Sequence, residues 1–280
     1  MTVGVVEETR TRRVGRLVFR HPALIRVAHW INVVALTILL MSGLQIFNAY
    51  PELDLGRAAS FGHGVLVLGA TGATPDRGYA EAFGRRFDTT GVLGVSNDGG
   101  ELTERGFPAW ITLPADQDLA TGRRWHFLFA WVFVINGLVY LAYGFASGEL
   151  RRRLIPTRAE LGGIGRSLRE HLTLHFPKGE AATRYNVIQK LTYLAVVLAL
   201  LPVQMLAGLA MSPGMDAVAP WLPELFGGRQ SARTVHFAIA TLIVLFVLVH
   251  LIMVLLTGPL NNLRGMITGW FRIESAREEG

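Results

Sequence analysis

The stretch TVHFAIATLIVLFVLVHLIMVLLT, residues 234–257, decides the fold. It holds no Lys, Arg, Asp or Glu and supplies the ~20 residues that cross ~30 Å of hydrocarbon. It also carries two histidines, His236 and His250. At 100° per residue their spacing leaves them about 40° apart, on one helix face. A rise of 1.5 Å per residue separates them by about 21 Å along the axis. One imidazole therefore lies near each membrane surface. Ionisable groups at such depths are costly and usually functional.

Three more apolar runs precede this one, at 23–47, 125–145 and 186–211. Pro22 suits the first turn of the first run, and Pro202 predicts a kink in the third. The reading is all-α: one membrane domain over 1–280, a four-helix bundle with an outer loop at 51–124 and an inner loop at 148–185. Composition agrees, with 51% hydrophobic and 17% charged residues, against about 25% charged in soluble domains. The first run is too long for a signal-peptide core and reads as a retained span. Net charge is +6 and the pI about 10.1. Because the basic residues flank apolar spans, they point to orientation and anionic lipid rather than nucleic acid. Six Arg face two Glu in the N-terminal segment to Ala28, and eight basic residues face four acids at 148–185. The 51–124 loop has seven Arg against ten acids. Positive loops stay inside, so both termini are expected in the cytoplasm and the long loop outside.

The chain has no cysteine. Thiolate-held iron–sulfur clusters, disulfides and covalently attached haem are excluded. Histidine remains as a ligand. His29 lies about as far inside the first span as His250 lies from the inner end of the fourth. His126 and His236 both lie near outer helix starts. Two imidazoles facing across a bundle can hold both axial positions of a haem iron, which favours electron transfer. The expectation is two non-covalent b-type haems, His29 with His250 and His126 with His236. Gly43 and Gly137 fall near the outer and inner haem levels, where a missing side chain gives room; tight helix packing explains each equally. His63 is a rival to His126, and His171 with His175 forms an i, i+4 pair on a basic segment. A bundle of incidental imidazoles or a proton-relay transporter is the alternative from these residues alone.

The segment Arg26-Val27-Ala28-His29-Trp30-Ile31-Asn32, the stretch Asn186-Val187-Ile188-Gln189-Lys190 and the two-histidine fourth helix resemble bacterial cytochrome b subunits. These are the cytochrome b561-like subunits of nickel–iron hydrogenase, formate dehydrogenase and thiosulfate reductase. Trp110-Ile111-Thr112-Leu113-Pro114, Arg123-Arg124-Trp125-His126 and Met211-Ser212-Pro213-Gly214-Met215-Asp216 resemble the thiosulfate-reductase type most. The resemblance implies exchange of electrons between the quinone pool and an extracytoplasmic molybdopterin oxidoreductase, across a bacterial inner membrane. A self-contained quinone-linked enzyme, such as a superoxide oxidase, is the alternative within the family. A homodimer is compatible with either. Asn186, Gln189 and Lys190 are the expected quinone or propionate contacts, and helix capping is their other explanation. Arg26, Arg123, Arg124 and Arg233 suit haem propionates through charge-assisted pairs, or lipid headgroups.

Overall fold

The computed structural model describes residues 15–72, 76–98, 100–173 and 185–274. Strand β1 (Gly15–Phe19) leads into helix α1 (Ala23–Asn48). Six strands follow: β2 (Glu52–Leu53), β3 (Leu66–Thr71), β4 (Arg77–Ala82), β5 (Arg85–Asp88), β6 (Gly94–Asp98) and β7 (Glu101–Arg105). Helix α2 (Leu119–Ala146) runs back, and α3 (Glu149–Leu154), α4 (Arg158–Gly162) and α5 (Ile164–Leu172) lie at the same end as β1. The next long helix is α6 (Val187–Ala195), a π-helical turn (Val196–Leu200) and α7 (Leu201–Ala210) in succession. Short α8 (Pro213–Val218) and α9 (Trp221–Leu225) precede α10 (Arg229–Leu256), α11 (Pro259–Thr268) and β8 (Trp270–Glu274).

Among the described residues, four helices, Ala23–Asn48, Leu119–Ala146, Val187–Ala210 and Arg229–Leu256, are long and apolar enough to cross a membrane. Their outward side chains are apolar and open, among them Val34, Leu128, Ile135, Leu248 and Leu255. Such a surface is stable only against hydrocarbon. The π-helical turn falls just before Pro202. A proline nitrogen cannot donate to the preceding turn, and widening that turn accommodates the ring.

The all-α expectation is corrected in the loop expected to lie outside. The loop between the first two spans folds as an antiparallel sheet in the order β2-β3-β4-β5, with β6 and β7 paired beside it. In β3 and β4, Leu66 pairs with Ala82 and Thr71 with Arg77. A further two-stranded sheet joins β1 to β8, tying the two ends of the described chain together at the opposite end of the bundle.

This outer cap is bonded to the helix ends. The Asn48 side chain accepts from the Phe107 N–H at 2.7 Å and donates to its carbonyl at 3.0 Å. Gln45 donates to the Asp116 carbonyl at 2.8 Å. The Gly56 carbonyl accepts from the N–H groups of Gln230 and Ser231, satisfying orphan donors in the first turn of α10. Beneath it, Leu53 and Leu68 of the strands bury with Phe47, against Phe107 and Phe237.

Candidate functional site

The four intramembrane histidines sit at two levels. His126 and His236 each lie seven residues after the first residues of their helices, Leu119 and Arg229. His29 lies six after Ala23, and His250 six before Leu256. The outer pair, His126 and His236, has ring centroids 6.2 Å apart. The inner pair, His29 and His250, has centroids 6.3 Å apart. Two imidazoles bonded at about 2.0 Å to opposite sides of one metal have centroids roughly 6 Å apart. The four histidines expected at two depths thus stand as two facing couples.

Helix packing leaves space for what these couples could hold. α1 packs along α2, and α7 along α10, whereas the two hairpins touch each other little. Asn136 locks the first hairpin by donating to the Ala28 carbonyl at 2.8 Å and the Asn32 amide oxygen at 2.7 Å. At the second couple, the Phe246 ring stacks on His250 at 6.2 Å, and Tyr193 meets Phe246 edge-on.

The outer couple's hydrogen bonds fix its tautomers. The Ser42 hydroxyl donates its one proton to the Ile38 carbonyl at 2.6 Å. Toward His126 Nδ1, 3.1 Å away, it can only accept. His126 therefore carries its proton on Nδ1 and keeps an Nε2 lone pair. His236 Nδ1 lies 2.9 Å from the Gln204 carbonyl, which also only accepts. The His236 Nε2 lone pair faces the Gln204 side-chain amide at 3.1 Å, and that amide must swing aside for a metal to bind. An imidazole whose Nδ1–H is held and whose Nε2 is basic is a good metal ligand.

Two glycines press on the same rings. A Cβ at Gly43 would sit 3.3 Å from His126 Cε1, and one at Gly208 would sit 3.1 Å from His236 Cε1. A Cβ at Gly137 would meet nothing within 4 Å. Gly43 thus makes room for a histidine, while Gly137 borders open space. The donor set, the separations and the gap between hairpins all fit an iron porphyrin.

Other expected residues have different partners. Asn186 and Gln189 form a reciprocal capping box at the start of α6. Lys190, buried, pairs with Glu160 at 2.7 Å, and this bond holds the Glu160 carboxyl below the usual carboxylate range. Arg26 donates to the Ile267 carbonyl. Arg233 donates to the Tyr50 carbonyl and lies over the Phe47 and Tyr50 rings. Arg123 and Arg124 are exposed at the outer end of α2. His63 is exposed on the outer cap. The His171 side chain and His175 lie outside the described residues. Ser42, Asn136, Gln204, Gly208 and Phe246 were not anticipated, although polar residues inside apolar spans were a readable signal.

A family model described as prokaryotic cytochrome b561 matches residues 20–269. The chain is also similar to the putative protein-methionine-sulfoxide reductase subunit YedZ1 of Azospira oryzae. The two are 29% identical over 249 residues, covering 89% of this chain and 96% of that protein. No solved structure matches the chain.

Proposed function

The chain belongs to the prokaryotic cytochrome b561 family, and on that premise we propose that it is a di-haem conduit between quinone and an oxidoreductase outside the membrane. Family membership and the four apolar helices make it a multi-pass membrane b-type cytochrome that transfers electrons. The finer reading assigns one haem to His29 and His250 and another to His126 and His236. The observation that carries it is the pair of matched separations, 6.3 and 6.2 Å, at two depths. Haem, when bound between these histidines, would supply a one-electron carrier at each level.

The chain's own residues do the rest. Ser42 and the Gln204 carbonyl hold the Nδ1 protons, so that both outer rings present basic Nε2 atoms. Asn136 and Phe246 keep the inner level in register. We assign Arg123 and Arg124, exposed at the end of α2 that carries His126, to the propionate carboxylates of a haem held there. The reading places both termini in the cytoplasm of a bacterial inner membrane, on the positive-inside rule. It takes 1–280 as one membrane domain.

The relative's description as a reductase subunit supports a partnered role. So does the folded outer cap, which exposes Phe61 and Phe83 to the outer side. The partner we propose is a molybdopterin oxidoreductase. Copurification under mild detergent tests it: a molybdopterin protein retained with the cytochrome supports the partnered role. A chain that purifies alone and oxidises superoxide would point to the self-contained enzyme instead. For the inner site, His250→Ala should lose one haem and quinol-driven reduction; a variant keeping both would overturn the assignment.

A further inference from the structure

We infer that a lipid-soluble quinone binds in the trough between α1, α2 and α11, with its head group against Arg26 and Trp30. The inference rests on the quinone role proposed above and gives that role a place. It moves the site away from Asn186, Gln189 and Lys190, whose side chains cap a helix and pair with Glu160.

The trough has a volume of about 620 Å³, and its walls are almost wholly apolar. Ligand pockets run from roughly 300 to 1,000 Å³, mostly apolar with a few polar groups that set orientation. Val27 and Val34 of α1 are more than half exposed along it, and Phe129 and Val132 of α2 form the far wall. Because these residues lie on the lipid-facing side of their spans, a hydrophobic molecule can enter sideways from the bilayer. Met266 and Ile267 of α11 close the inner end. The closure is hydrogen-bonded: the Trp30 indole donates to the Met266 carbonyl at 3.1 Å, and Arg26 donates to the Ile267 carbonyl.

Two observations select a quinone over a plain acyl chain. The first is a donor. Arg26 lines the trough, and its buried Nε has no hydrogen-bond partner among the described residues, so a turn of the guanidinium brings an unused donor to the trough. A buried donor without an acceptor is costly, and a quinone carbonyl or quinol oxygen is an acceptor that needs no net charge. An acyl chain offers none. The second is adjacency. Trp30, a wall of the trough, meets the His29 ring edge-on at 5.6 Å, and His29 belongs to the inner couple. A molecule in the trough is thus one aromatic ring away from the inner haem ligand. Oxidation of one bound quinol to quinone releases two electrons, one for each of two haem irons passing from ferric to ferrous. Its two protons leave to water at the inner face.

The test is quinol-driven haem reduction in purified, haem-loaded protein, with decylubiquinol and menadiol as donors. Val27→Trp and Val34→Trp fill the trough, and each should slow reduction about tenfold or more. Haem content and the dithionite-reduced spectrum should stay unchanged. Val139→Trp, at an exposed position of α2 outside the trough, serves as the control and should reduce at the wild-type rate. Arg26→Gln should raise the quinol concentration needed for half-maximal rate. Filled variants that reduce as fast as wild type would overturn the site while leaving the quinone role standing. Wild-type protein reduced by neither donor would overturn the quinone role itself. An azidoquinone should label the Val27–Val34 or Met266 peptide, with decylubiquinone as competitor. Labelling displaced by phosphatidylglycerol and not by decylubiquinone would make the trough a lipid groove and overturn the proposal.

Discussion

At His126, one proton decides whether the ring can bind a metal. Ser42 has a single hydrogen, spent on Ile38, so the histidine must donate from Nδ1. Replacing Ser42 with Ala removes that acceptor and lets the ring turn. The expected result is a shifted midpoint potential of one haem, read by redox titration, with the other haem unmoved. Gly208 makes a steric demand at His236. A Leu there puts atoms where the imidazole lies and should abolish one haem per chain, read by pyridine haemochrome assay. His21 poses a different question, outside the spans. It is buried beneath α11, near Gly265. Burial, and then the charge of Arg20 and Arg153, push its pKa down to about 4. The unfolded ring protonates near 6.5 and the folded ring only near 4. Stability is therefore lost as pH falls through that window, by at most about 3 kcal/mol, and is unaffected above it. His21→Asn should flatten the dependence of thermal denaturation on pH between 6.5 and 4. An unchanged slope would assign the dependence to other groups.

Helices and strands differ in how far the sequence revealed them. The spans were legible because twenty apolar residues in a row have one stable use. Their outer starts were not. α2 begins at Leu119 and α10 at Arg229, several residues before the apolar runs, because the Asp118 side chain caps the first turn of α2 and the Gly56 carbonyl that of α10. The outer strands escaped notice for a related reason. β4 (RGYAEA), β5 (RRFD) and β7 (ELTER) carry charges and glycine where alternation would show. Their pairing rests on local hairpins such as the Phe83-Gly84 turn, both residues at positive φ. The start of α6 was read two ways, as quinone contact or as helix cap, and the structure displays the cap. Asn186→Ala should cost about 1 kcal/mol and lower the melting temperature in detergent. A melting temperature equal to wild type would leave the box without energetic weight.

The whole molecule is a two-sided device: a bundle with a folded cap at one end and a strand ribbon with short helices at the other. Its sidedness can be checked directly, since the chain has no cysteine of its own. Phe83→Cys, 88% exposed in the cap, should react with an impermeant maleimide in intact spheroplasts. Leu260→Cys, 84% exposed on α11, should react only after permeabilisation. The reverse pattern would invert the orientation. At this scale the histidine depths were legible because a helix converts sequence spacing into height. The gap between the hairpins was not, because nothing in a linear pattern says which helices stand apart. An electron path across the bundle requires that gap to be filled at both levels. The direct measurement is haem per chain on purified protein, by pyridine haemochrome against quantitative amino-acid analysis. Two haems per chain are predicted, falling to one in both His126→Ala and His250→Ala. One haem in the wild type, or no loss in either variant, would contradict the account.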